Sequence, residues 1–130
     1  MNEPVADHMR AILDGHIVLS RSVATRGHWP AIDVLHSISR LAGTLHTQDQ
    51  KGQVERLRSA LGSYQNSVDL IELGAYEKGS QPLLDTMIDL KPEFDALLRQ
   101  TPQEHFPSSG TWKTVLQLVQ RLGKGVSDAK

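Results

Sequence analysis

Val54, Leu57, Leu61, Tyr64, Val68 and Ile71 recur at intervals of 3, 4, 3, 4 and 3 residues, the rhythm of one helical face. This predicts a helix of about five turns, ended by Gly74, with Gly79-Ser80 marking the turn that follows. Leu83, Leu84, Met87 and Ile88 predict a short amphipathic helix that Pro92 interrupts or follows. Pro92, in a first turn, then opens another helix that buries Phe94, Leu97 and Leu98. The stretch TPQEHFPSSG reads as a loop. Thr111 is placed to cap a last helix with the face Trp112, Val115, Leu116, Val119 and Leu122, and Gly123 to Lys130 reads as frayed. Four helices with short connections imply a small bundle.

Before Thr47 the rhythm differs, with short apolar runs broken by Gly, Pro and Asp. Pro4 suits a first helical turn, and Val5, Met9, Ile12 and Leu13 form one apolar face ending at Asp14-Gly15. HIVLS, short and β-branched, reads as a buried strand. Ser20 to Arg26 predicts a two-turn helix stopped by Gly27, and Trp29-Pro30 an extended segment. Strand, helix and loop in this order suggest the margin of an α/β domain.

With 130 residues and 14.4 kDa the chain can hold one real core. Its 38% apolar and 22% charged residues are those of an ordinary soluble domain. No apolar run exceeds three residues, against the roughly 18 a membrane span requires, and MNEPVADHMR does not read as a signal peptide. The absence of cysteine rules out disulfides and zinc–thiolate sites and fits a reducing cytoplasm. The net charge is -1, and residues 48–100 carry six basic against nine acidic side chains. No clustered basic face is visible, so nucleic acid is not an expected partner.

The candidate chemistry is sparse. No GxxxxGK[ST] loop is present to hold nucleotide phosphates, nor an apolar strand ending in Asp to hold magnesium. Trp29, fixed by the following proline, can stack on a purine face; taken alone, a half-buried core tryptophan is the simpler explanation. Arg40, after Ser37-Ile38-Ser39, can stabilise phosphate charge across an interface; a surface salt bridge is the bland alternative. The six histidines lack the i, i+4 pairing of a helical zinc site, so no metal is expected. The serines have no Gly-x-Ser-x-Gly context for a hydrolytic triad. Asp14 before Gly15 reads as a turn residue.

NEPVADHMRAILDGHIVLSR and RGHWPAIDVLHSISR, with YQNSVDLIELGAYEKGS and DALLRQ, resemble the type III secretion ATPases of flagella and injectisomes. These are relatives of the catalytic subunit of rotary ATP synthases. The likeness spans roughly residues 2–100. It implies a mainly α chain, a C-terminal helical bundle preceded by the trailing edge of an α/β RecA-like nucleotide-binding domain. Residues 1–46 would be that edge and residues 47–130 the helical domain. Arg40 takes the position of the arginine finger that acts in trans on a neighbour's nucleotide. Trp29 replaces the family's usual tyrosine or phenylalanine against the adenine, and Tyr76 would form the other wall. Tryptophan at position 29 and the region Gly43 to Gln53 depart from the family pattern.

The resemblance further implies a cytoplasmic homohexamer, peripheral at the membrane base of the secretion apparatus. It would bind ATP and Mg, strip chaperones from export substrates, and contact a central stalk and regulator proteins. The phosphate loop and catalytic glutamate would lie upstream, so this chain alone would bind no cofactor and hydrolyse no ATP. The acidic balance of residues 48–100 suits partners with basic patches. Two alternatives stay open: a stand-alone helical interaction module, and the C-terminal part of a rotary ATPase subunit.

Overall fold

A proline costs nothing at a helix start, because its missing N–H is one of the donors the first turn leaves unpaired. The computed structural model, which describes residues 3–127, accordingly begins with α1 (Pro4–Ile12). After it come β1 (Gly15–His16), α2 (Arg21–Thr25), β2 (Ile38–Ser39) and α3 (Ala42–Leu45). Three long helices complete the chain: α4 (Gln48–Glu72), α5 (Pro82–Leu98) and α6 (Ser108–Ser127). The fold is mainly helical, as expected, and carries one small two-stranded sheet. Among the described residues no helix is long and apolar enough to cross a membrane. The chain divides into two compact units, Met1–Lys51 and Gly52–Lys130.

In the first unit, β1 and β2 pair antiparallel with Gly15 opposite Ser39 and His16 opposite Ile38. The pairing continues beyond the strands. The Asp33 and Ser20 amides donate to the carbonyls of Val18 and Ala31, each at 2.8 Å, and Leu19 bridges Ile32. Where residues 34–36 turn away, a side chain replaces the missing backbone partner. The Ser37 hydroxyl accepts from the Val18 amide at 3.0 Å and donates to the Asp33 carbonyl at 2.7 Å, so no ladder group there is left unpaired. Asp33 also holds the turn through its carboxylate, which accepts from the His36 amide at 3.2 Å and lies 2.8 Å from His36 Nδ1.

One expectation for this unit fails. HIVLS is not a buried strand: only its first residue lies in β1, and Ile17 and Leu19 are each 70% exposed. Side chains alternate along extended chain. Val18 is half-buried, whereas Ile17 and Leu19 project to a face that no described residue of Met1–Lys51 covers. The apolar residues Val5, Met9 and Ile12 of α1 are exposed as well.

In the second unit the core comprises Ala60 of α4, Met87, Leu90 and Phe94 of α5, and Leu118 and Leu122 of α6. Leu57, Leu61 and Tyr64 of the predicted α4 stripe pack against it. At its start α4 carries a reciprocal cap: the Gln50 amide donates to Thr47 Oγ1 at 3.2 Å, and the Thr47 amide to Gln50 Oε1 at 3.0 Å. Gly74 ends the helix with φ 70°, and the Ala75 amide closes on the Leu70 carbonyl at 2.9 Å, a left-handed terminus that glycine adopts without strain.

The two helices expected around Pro92 are one. α5 runs from Pro82 through Pro92 to Leu98 and buries Leu84, Met87, Leu90 and Phe94 along a single face. An internal proline costs about 3 kcal/mol. Burying four such side chains returns about 1.5–3 kcal/mol each, so the continuous face wins. α6 begins at Ser108, a turn earlier than expected. Thr111 therefore lies within its first turn, with its amide on the Pro107 carbonyl at 3.1 Å, and does not cap it. The helix also continues past Gly123 to Ser127, where a frayed end was expected; the two glycines it takes in, Gly123 and Gly125, cost about 1 kcal/mol each. Residues 128–130 lie outside the described residues.

Candidate functional site

Arg40 sits immediately after β2, and its position is set by the main chain. Its amide donates to the Asp14 carbonyl at 2.7 Å, directly beyond the Gly15–Ser39 pair. Its guanidinium is exposed and reaches back to the C-terminal end of α1, donating from Nη1 to the Ala11 carbonyl and from Nη2 to the Arg10 carbonyl, both at 3.3 Å. Those carbonyls belong to the last turn of α1, where a helix leaves acceptors unpaired and favours positive charge. Two long, exposed hydrogen bonds contribute on the order of 1 kcal/mol together. Arginine carries five N–H donors, and these contacts use two. Arg40 and Arg10 also line a cavity of about 410 Å³ that includes Gly15, His16 and Ile38.

Trp29 lies at the opposite end of the same pairing, after the α2 terminus at Gly27 (φ 72°). The residue is 58% exposed, so no core among the described residues takes it in, and the peptide bond to Pro30 is cis. The pairing from Asp14 to Ser20 separates Trp29 from Arg40 by about 20 Å along its length, at the usual rise per residue. The two side chains therefore cannot touch one small group together. They can serve two different ones.

Tyr76 belongs to the second unit, in the loop between α4 and α5. Its hydroxyl donates to Asp85 Oδ1 at 2.6 Å, while Asp85 Oδ2 accepts from the Gly79 amide at 2.8 Å. Asp85 thus fixes the GAYEKGS turn from the first turn of α5. Beside this carboxylate, and with some loss of hydration, the phenol is held above its ordinary pKa of 10.0. The neutral phenol is the form that folding favours. Its contribution to stability is complete below pH 10.0 and is lost as pH rises through the raised value. In a spectrophotometric titration, the tyrosinate signal that Tyr76→Phe removes should emerge above pH 10.0. Emergence at or below that pH would mean the Asp85 bond is absent in solution.

Among the described residues no group of three or more His, Cys, Asp or Glu is placed to hold a metal ion. Three positions that hold these segments in place are not announced by any motif. Asp85 was detectable as an acidic residue in a helical first turn after a Gly-Ser loop. Ser37 and Gly15 act on residues 19 and 23–24 positions away, and no local pattern announces that.

Residues 46–117 match the family described as the T3SS EscN ATPase C-terminal domain, and residues 1–39 match the ATP synthase alpha/beta family, nucleotide-binding domain. A type 3 secretion system ATPase of Pseudomonas syringae pv. syringae is 43% identical over 122 residues, 94% of this chain and 27% of the relative. A flagellum-specific ATP synthase of Salmonella typhimurium is 50% identical over 120 residues, covering 92% and 25%. The assembled ATPase EscN in complex with its central stalk EscO, from the type III secretion system of enteropathogenic E. coli, superposes with a TM-score of 0.84 at 30% identity, covering 90% and 29%. The chain spans about a quarter of the length of the curated relatives it matches.

Proposed function

Because the chain belongs to the type III secretion system EscN ATPase C-terminal domain family, we propose that it is the C-terminal part of a hexameric ATPase that powers type III protein export. Residues 1–46 act as the trailing edge of the nucleotide-binding domain. Residues 47–130 form the helical domain that meets export chaperone–substrate complexes, the central stalk and regulators at the cytoplasmic base of the apparatus. The observation that carries this reading is the presentation of Arg40: an exposed guanidinium with unused donors, on a backbone position pinned at 2.7 Å to Asp14.

Arg40 acts in trans, offering positive charge to the γ-phosphate of a neighbouring subunit's ATP as negative charge develops there. Trp29 lays its exposed ring against an adenine. Two half-sites at the two ends of one pairing fit a ring in which each chain touches two nucleotides. The ATP phosphates and Mg are held by parts of the intact protein outside these 130 residues, which contain no GxxxxGK[ST] loop. The chain alone neither binds nor hydrolyses ATP.

The stand-alone helical module has one observation in its favour: the Arg40 contacts to α1 are those of a helix C-cap. Magnitude separates the two roles. The cap is worth on the order of 1 kcal/mol, whereas an arginine finger contributes 10³-fold or more, about 4 kcal/mol. The test is an exchange, in which these residues replace the corresponding C-terminal quarter of the Salmonella flagellum-specific enzyme. The chimaera should hydrolyse ATP and support export within about tenfold of the parent, with the 130-residue chain alone as the inactive control. A chimaera that assembles into rings without ATPase activity would overturn the assignment.

A further inference from the structure

Most glycines of this chain are explained by backbone conformation or stand in open space. Gly27, Gly74 and Gly79 have positive φ, and a Cβ added to any of the three would meet nothing within 4 Å. Gly15 is different. Its backbone is ordinary, but a Cβ there would lie 2.6 Å from the Ile38 carbonyl oxygen and 3.2 Å from Ser39 Cα. Both obstructing atoms are main chain, so no side-chain rotation relieves the contact. Among the described glycines, only Gly15 meets backbone this closely.

The obstructed segment is β2, and the residue after it is Arg40. Gly15 faces Ser39 in the pairing, and the Asp14 carbonyl, one residue before, holds the Arg40 amide at 2.7 Å. A methyl group at position 15 must push β2 outward by roughly half an ångström merely to bring the 2.6 Å contact out of hard overlap. Arg40 moves with it, because no loop intervenes to absorb the shift.

We propose that Gly15 is a positioning residue for Arg40: the missing side chain lets β2 sit at the depth that aims the guanidinium across the subunit interface. The inference rests on the reading of Arg40 as an arginine finger. It assigns to the Gly15–Ser39 contact a geometric role in ATP hydrolysis, although neither residue touches nucleotide. Catalysis is steep in such displacements, about a hundredfold for 1 Å, so half that shift corresponds to about tenfold in kcat.

The experiment is a double-mutant cycle in the full-length ATPase carrying this segment, with kcat and KM for ATP measured for Gly15→Ala, Arg40→Ala and the double variant. Gly15→Ala should lower kcat about tenfold with KM within about twofold, and the double variant should match Arg40→Ala within about twofold. Wild-type kcat in Gly15→Ala, alongside a fall in Arg40→Ala, overturns the positioning role and leaves the finger standing. An unaffected Arg40→Ala removes the finger itself, and the positioning role with it. A double variant tenfold below Arg40→Ala shows Gly15 acting elsewhere and overturns the proposal. Hydrogen exchange on Gly15→Ala separates displacement from unfolding. The Arg40 amide should lose protection while the α4, α5 and α6 amides keep theirs; loss throughout would make Gly15 a folding residue and also overturn the proposal.

Discussion

Arg40→Ala in the full-length ATPase is expected to lower kcat by about three orders of magnitude and to leave KM for ATP within about threefold. The asymmetry follows from the role. On the proposed role, a charge delivered to the γ-phosphate as bonding changes stabilises the transition state, while the phosphates in the ground state would be held by a loop that residues 1–130 do not contain. Arg40→Lys should recover little of the loss, because an ammonium keeps the charge without the planar fork that can hold two phosphate oxygens. The structural alternative makes an opposite forecast. If the guanidinium only caps α1 through the Arg10 and Ala11 carbonyls, the variant melts slightly earlier and hydrolyses ATP at the normal rate. A steady-state ATPase assay with a thermal melt of the same preparation decides between them.

The largest expected effect on stability lies in the second unit. Phe94 is 2% exposed and belongs to the one cluster to which α4, α5 and α6 all contribute. Phe94→Ala removes its transfer energy and leaves a cavity, together about 3–5 kcal/mol. Small domains hold only about 5–15 kcal/mol in all, so a large share of the unit's stability is at stake. Urea unfolding of the chain, followed by far-ultraviolet circular dichroism, should show the midpoint falling steeply. Leu73→Ala is the matched control: Leu73 is 80% exposed, and its loss should stay within about 0.5 kcal/mol. Equal effects from the two variants would mean that the core is not where the helices place it.

What could be read before the structure followed from how far each interaction reaches. The α4 stripe was legible because a helix writes its buried face at intervals of three and four residues. Gly74 and Gly27 were legible as stops because the requirement is local. Pro92 misled for the same reason: its cost is local, whereas the burial of Leu90 and Phe94 that outweighs it depends on α4 and α6. The HIVLS strand misled in the other direction. Its apolar residues call for burial, and nothing described in Met1–Lys51 covers Ile17 or Leu19. For the candidate site, Trp29 and Arg40 stood out as residue types in a recognisable frame. What holds Arg40 did not stand out, because Gly15, Asp14 and the α1 carbonyls lie 25 to 30 residues away and act through the main chain.

The anchors between Val18 and Asp33, Val18 and Ser37, and Gly15 and Ser39 follow one another closely. Each strand of the pairing is tied at nearly every second residue, and the turn over residues 34–36 is closed by Ser37 on both sides. An insertion or deletion of one residue between Asp33 and Arg40 therefore cannot be absorbed locally, since at least one tie must break and every side chain beyond it changes face. Substitution in this stretch should therefore be tolerated better than any change in its length, which acts as a ruler that no change of side chain can correct.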